Sequence, residues 1–217
     1  LNFSHGTHID HQKTIDMVRE INEELGTHIA LLQDLQGPKI RVNEVENGGV
    51  EIIEHQTLII TTEYILGSKE RVSTSYKSLA QDVKIGDSIV IDDGNLEVKV
   101  ISVQGEDVYT KVIYGGFLKS RKGINLPNTM ISAPSLTEKD HADLEYGLGQ
   151  NLDWVALSFV RKASDIIELQ KMIEAKGSYT KIIAKIEKPE ALENIDEIIA
   201  ATDGIMVARG DLGVEIP

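Results

Sequence analysis

At 217 residues, 41% of them hydrophobic, the chain is long enough to bury a sizeable core in one or two domains. A formal net charge of −13, from 22 basic and 35 acidic residues with no basic stripe, argues against a nucleic-acid partner. The absence of cysteine excludes disulfides and thiolate metal sites and is compatible with the cytoplasm, and no apolar run approaches the ~20 residues of a membrane span.

The chain opens on LNFSHG (1–6), a polar cluster of the kind that follows a strand, and stops at GVEIP (213–217) just after a charged motif. It therefore reads as a piece cut from a longer protein. From Thr7 to Leu25, the spacing of Ile9, Ile15, Val18, Ile21 and Leu25 predicts a helix, with Gly26 as its stop. HIALLQD (28–34) predicts a strand buried on both faces and ending in Asp34, and GPKIR (37–41) leaves it.

Composition then changes. GVEIIE, TLIITT, SIVIDD, LEVKVISV and DVYTKVIY alternate in the strand manner between the turn clusters NGG (47–49), DDGN (92–95) and QGED (104–107), predicting a small antiparallel barrel or sandwich. Asp92 and Asp93 read as turn chemistry, although in a mobile module one of them is also able to approach a site. After NLPN (125–128) the chain alternates helix and strand: LTEKDHADLEYGLGQ, capped by Thr137 with Glu138 and Asp140 in its first turn, then DWVALSFV, KASDIIELQKMIEAKG, TKIIAKIE, PEALENIDEIIAA and DGIMVARGD. The fold class is α/β, a partial (β/α)8 or TIM barrel interrupted by an all-β module. Residues 1–38 form the first part of the barrel, 39–127 the insertion and 128–217 the second part, with four barrel strands in all.

Lys185 and Glu187 stand two apart in one strand and so share a face, while Asp211 closes the next strand-like segment. On spacing alone such a lysine and glutamate are solvated or paired with each other. At the carboxyl ends of barrel strands they form a candidate site instead, in which Glu187 and Asp211 share a hard cation and Lys185 is left to face an anion.

Five segments in order, LNFSHG (1–6), DLQGPKIR (34–41), KGINLPN (122–128), IAKIE (183–187) and MVARGDLGVEIP (206–217), with an all-β insertion between the second and third, together resemble the pyruvate kinase family over essentially the whole chain. The resemblance implies a catalytic barrel with a mobile β lid, and phosphoryl transfer from phosphoenolpyruvate to ADP, giving pyruvate and ATP in glycolysis. It implies that Lys185 stabilises the transferring phosphoryl group and the enolate, and that Glu187 and Asp211 bind Mg2+ or Mn2+. Gly210 and Asp211 lie against the substrate, and Asn2, Phe3, Ser4, His5, Arg41 and Lys122 contact the nucleotide. A cytoplasmic homotetramer is the assembly implied for the parent enzyme.

Potassium-dependent relatives carry GPEIR where this chain has GPKIR. The family's potassium ligands correspond to Asn2, Ser4, Asp34 and the Leu35 carbonyl, and Lys39 supplies a fixed charge that makes the ion unnecessary. Two other readings stay open here: a magnesium-dependent aldolase or lyase acting on a pyruvate enolate, and a non-catalytic nucleotide-binding module. Four strands do not close a barrel, so the isolated chain is expected to be inactive.

Overall fold

The computed structural model describes residues 1–127 and 129–216; Asn128 and Pro217, the last residues of two of the motifs, lie outside the described residues. The chain divides into two compact units, Leu1–Pro38 with Pro134–Ala208, and Lys39–Ala133 with Arg209–Pro217. The sequence placed its later boundary at 127/128; the units part at 133/134 and again at 208/209.

The first unit is a series of strands and helices. Helix α1 (His8–Leu25) begins at Thr7 in a capping box with Asp10 and ends at Gly26, which takes the left-handed conformation that stops a helix. Strand β1 (Leu32–Asp34) is followed, after the excursion into the second unit, by α2 (Glu138–Gly149), capped by Thr137 as its sequence predicted, with Asp140 of the first turn completing a capping box. Then come β2 (Trp154–Leu157), α3 (Ala163–Ala175), β3 (Lys181–Ile186), α4 (Pro189–Glu193), α5 (Ile195–Ala201) and β4 (Gly204–Val207).

The four strands are parallel and lie in chain order, with Asp34, Ala156 and Ile183 in one row across the sheet. On β3, Ile182, Ala184 and Ile186 are buried while Lys181, Ile183 and Lys185 take the other face. The helix α2 docks on β1 through Gly147, where a Cβ would fall 2.1 Å from Gln33 Oε1. The Gln33 side-chain amide donates to the Asp143 carbonyl at 2.6 Å.

Two expectations change in this unit, and a third in the segment that follows it. The HIALLQD strand shortens to three residues and His28–Ala30 are exposed, because β1 is an edge of the sheet. The helix predicted over 189–201 breaks at Asn194, whose φ of −106 and ψ of 19 leave the helical conformation while its side-chain amide donates to the Arg161 carbonyl at 2.9 Å. Asp211 does not end a strand: β4 stops at Val207, and Asp211 lies in the first turn of the helix Arg209–Glu215.

The second unit is built on a six-stranded sheet, with strands in the order Arg71–Ser73, Thr57–Thr61, Asp107–Tyr114, Leu96–Gln104, Ser88–Ile91 and Ile124–Asn125. A two-stranded sheet pairs Gly49–Ile52 with Gly116–Lys119. Its core is aliphatic, with Leu58, Ile60, Ile89, Ile91, Val98 and Val112 fully buried. The antiparallel expectation fails at one pair, Thr57–Thr61 with Arg71–Ser73, which runs parallel because the connection between them crosses over rather than turning back as a hairpin. Among the described residues no helix is long and apolar enough to cross a membrane.

Candidate functional site

Lys185 stands at the carboxyl end of β3 and is engaged rather than free. Its ammonium lies 3.2 Å from Glu187 Oε1 and 3.0 Å from Asp34 Oδ1, and donates to Ser158 Oγ at 2.8 Å. The Asp34 contact is an ion pair, and apart from it the buried Oδ1 has no partner. Ser158 in turn donates to the Leu35 carbonyl at 2.7 Å. The parallel register explains the convergence: β1, β2 and β3 all end on the same side, so the residues closing each strand meet there.

Burial by itself draws the Lys185 pKa down, but the Glu187 and then the Asp34 carboxylates outweigh it and leave it above the ordinary lysine value. The ammonium is therefore charged throughout the neutral range. One cation between two carboxylates leaves a formal surplus of one negative charge, which favours a further cation.

Glu187 is only 1% exposed, and its Oε2 accepts the Phe159 backbone N–H at 2.7 Å. That N–H points at the carboxylate because Phe159 has φ 55, a conformation rare for a bulky residue. Gly37 packs against the same turn at φ 68, and a Cβ there would fall 2.9 Å from Ser158 Cβ and 3.0 Å from Phe159 Cδ2. The Gly37 N–H donates to Asp140 Oδ1 at 3.0 Å, so the fully buried Asp140 both caps α2 and fixes the loop after β1.

The segment Asn2–His5 pairs with β1 through the Phe3 N–H, which donates to the Asp34 carbonyl at 2.9 Å. The Phe3 ring is buried and stacked on His11, so only its backbone is left for a ligand, whereas the side chains of Asn2 and His5 are exposed.

In the second unit, Arg41 and Gly123 form an antiparallel bridge that sets Arg41 beside Lys122, and Arg41 Nη1 donates to the Arg121 carbonyl at 3.2 Å. Lys122 pairs with Asp92 Oδ1 at 2.7 Å, and this hydrogen bond is the main reason its pKa is raised. Asp92 and Asp93 take positive φ, the turn role their sequence predicted, and Asp92 is the lysine's partner as well. Lys39 lies 3.5 Å from Asp211 Oδ1, and Gly210 is exposed with open space around it.

Glu187 belongs to the first unit and Asp211 to the second, and the adjacent-strand argument for a shared cation lapses because Asp211 is helical. Among the described residues no group of three or more His, Asp or Glu side chains converges as a metal site. The donors around Lys185 are nevertheless all hard oxygens, and one of them, Asp34 Oδ1, is buried without a hydrogen bond. That set suits a magnesium-like cation, which takes only one or two protein carboxylates. Sequence reasoning missed Asp34 as a lysine partner, Ser158 and the Phe159 N–H. The turn at 158–159 carries no glycine that would have marked it.

The family model described as pyruvate kinase, barrel domain, matches residues 1–217. Over the whole chain, a pyruvate kinase from Geobacillus stearothermophilus is 46% identical and one from Corynebacterium glutamicum 45%. The chain covers 38% and 46% of those two proteins, and so spans less than half the length of these curated relatives. A crystal structure of a pyruvate kinase from Cryptosporidium parvum superposes with a TM-score of 0.94 at 39% identity, over all of this chain and 46% of that one.

Proposed function

The chain belongs to the pyruvate kinase family, and from that premise we propose that it carries the phosphoryl-transfer centre of an enzyme converting phosphoenolpyruvate and ADP to pyruvate and ATP. The observation that carries the reading is the ammonium of Lys185, kept charged and aimed by Glu187, Asp34 and Ser158 at the end of β3. Phosphoryl transfer needs positioning and charge neutralisation more than covalent chemistry. Lys185 faces the transferring group and the oxygen that becomes the enolate.

Glu187 and Asp211 are the proposed ligands of Mg2+ or Mn2+, carried over from the IAKIE and RGDLG motifs and supported by the hard-oxygen character of the Lys185 cluster. When bound, the cation would neutralise substrate anion charge. Gly210 contributes backbone beside Asp211.

For the nucleotide, Asn2, Ser4, His5 and the Phe3 backbone, together with Arg41 and Lys122, are the proposed contacts. The pairing of Arg41 with Gly123 supports a joint role for the last two. Residues 39–127 are proposed as the lid. Activity without potassium is proposed from the GPKIR motif, in which Lys39 stands where potassium-dependent relatives carry Glu; the ion's ligands would otherwise be Asn2, Ser4, Asp34 and the Leu35 carbonyl. A cytoplasmic homotetramer remains the assembly proposed for the parent enzyme. No observation favours the lyase alternative.

The test is a calorimetric titration of oxalate, an enolpyruvate mimic, with magnesium and then with a chelator. Magnesium-dependent heat that disappears in Glu187→Gln is expected. Binding that persists in the chelator or in the variant would refute this site.

A further inference from the structure

Outside the motifs, one cluster of ionisable and aromatic side chains stands against the segment Asn2–His5, and neither the fold nor the reaction has accounted for it. Asp143, on α2, has a side chain only 6% exposed that meets two partners: His8 Nε2 donates to its Oδ1 at 2.7 Å, and Lys139 Nζ pairs with its Oδ2. Lys139 spends a second donor on the Phe3 carbonyl at 2.7 Å. His8 stacks on Tyr146 with ring centroids 4.2 Å apart, and the Tyr146 hydroxyl donates to the His8 carbonyl at 3.1 Å. Asp143 is thus held on one side by a braced imidazole and directs the lysine on the other.

The consequence falls on Phe3. Its N–H is tied to Asp34, its ring to His11 at 4.0 Å, and its carbonyl to Lys139. His11 Nε2 donates to the His5 carbonyl at 3.0 Å, and Asn2 Oδ1 accepts the Ser4 N–H at 2.9 Å. The backbone from Asn2 to His5 is fixed from β1, α1 and α2 together, which leaves the side chains of Asn2 and His5 turned to the surface. Among the described residues Lys139 is the one side chain on α2 recorded as bonding to that backbone. An ammonium suits the task because its three donors serve a carbonyl and a carboxylate at once.

We propose that Lys139, aimed by Asp143, is a positioning residue that holds the segment Asn2–His5 in the conformation that receives the nucleotide diphosphate. The inference rests on the nucleotide role assigned to that segment above, and the test separates the two.

Hydrogen exchange of the Phe3–His5 amides is measured in the chain and in its Lys139→Met and Lys139→Arg variants. Methionine keeps the aliphatic stem and removes every donor. In parallel, these 217 residues replace the matching stretch of the Geobacillus stearothermophilus enzyme, and KM for ADP and for phosphoenolpyruvate is measured for each variant.

Lys139→Met is expected to speed exchange at Phe3–His5 and to raise KM for ADP about fivefold or more, with KM for phosphoenolpyruvate and kcat within about twofold. Lys139→Arg should recover most of both effects. Unchanged exchange at Phe3–His5 overturns the positioning inference whatever the kinetics. Faster exchange with an unmoved KM for ADP overturns the nucleotide assignment of the segment, and with it this role for Lys139. Parallel changes in both KM values and kcat, without rescue by arginine, reduce Lys139 to a general structural residue and also overturn the inference.

Discussion

Replacing Lys185 by methionine, which nearly matches its stem, leaves two carboxylates facing each other without the cation that now sits 3.0 and 3.2 Å from them. Breaking a buried ion pair by removing one partner costs about 3–5 kcal/mol, because the remaining charge stays buried and uncompensated. Exposure reduces that figure: the side chains of Lys185 and Asp34 are 13% and 29% exposed, against 2% for Glu187. We expect a loss of about 3 kcal/mol, most of it from Glu187.

Glu187→Gln removes the charge yet keeps an oxygen able to accept the Phe159 N–H, so the double variant Lys185→Met/Glu187→Gln should regain about 2 kcal/mol of the loss. The chain's single tryptophan, Trp154, lies in β2 beside β3 and reports the unfolding of this sheet. Urea unfolding followed by its fluorescence in dilute solution, for the parent, both single variants and the double, gives the coupling from midpoints at constant m. Effects that add to within about 0.5 kcal/mol would show that the charges do not sense each other, and the argument for a poised Lys185 would fall.

The raised pKa of Lys185 has a sign that pH can check: its stabilisation is fully present below the unfolded value near 10.5 and is lost as pH rises through the higher folded value. The stability gap between parent and Lys185→Met should therefore be flat from neutral pH to about 10 and shrink above it, and a gap that shrinks on acidification alone would contradict this. Gly37→Ala combines a left-handed φ of 68 with a Cβ 2.9 Å from Ser158 and should cost about 2–4 kcal/mol, together with a weakened oxalate affinity. A variant as stable as the parent in urea would show that the turn at Ser158–Phe159 yields freely.

Periodicity carried much of the architecture. The Thr7 and Gly26 ends of α1, the Thr137 cap of α2, the βα alternation and five strands of the second unit were legible, because each follows from side chains within a few residues of one another. Short elements without a pattern were not, among them the strands Arg71–Ser73 and Ile124–Asn125 and the helix Leu79–Asp82, which exist through the neighbours that cover them.

At the site, the sequence by itself determined the chemistry, an ammonium and acids in named motifs, since two residues of one strand must share a face. The tertiary structure alone decided what those groups do to each other. Asp34 and Ser158 come from two other stretches of chain and meet Lys185 and Glu187 only through the parallel register of β1, β2 and β3. The positive φ of Phe159, which aims its N–H at Glu187, arises from long-range packing that no local residue pattern encodes.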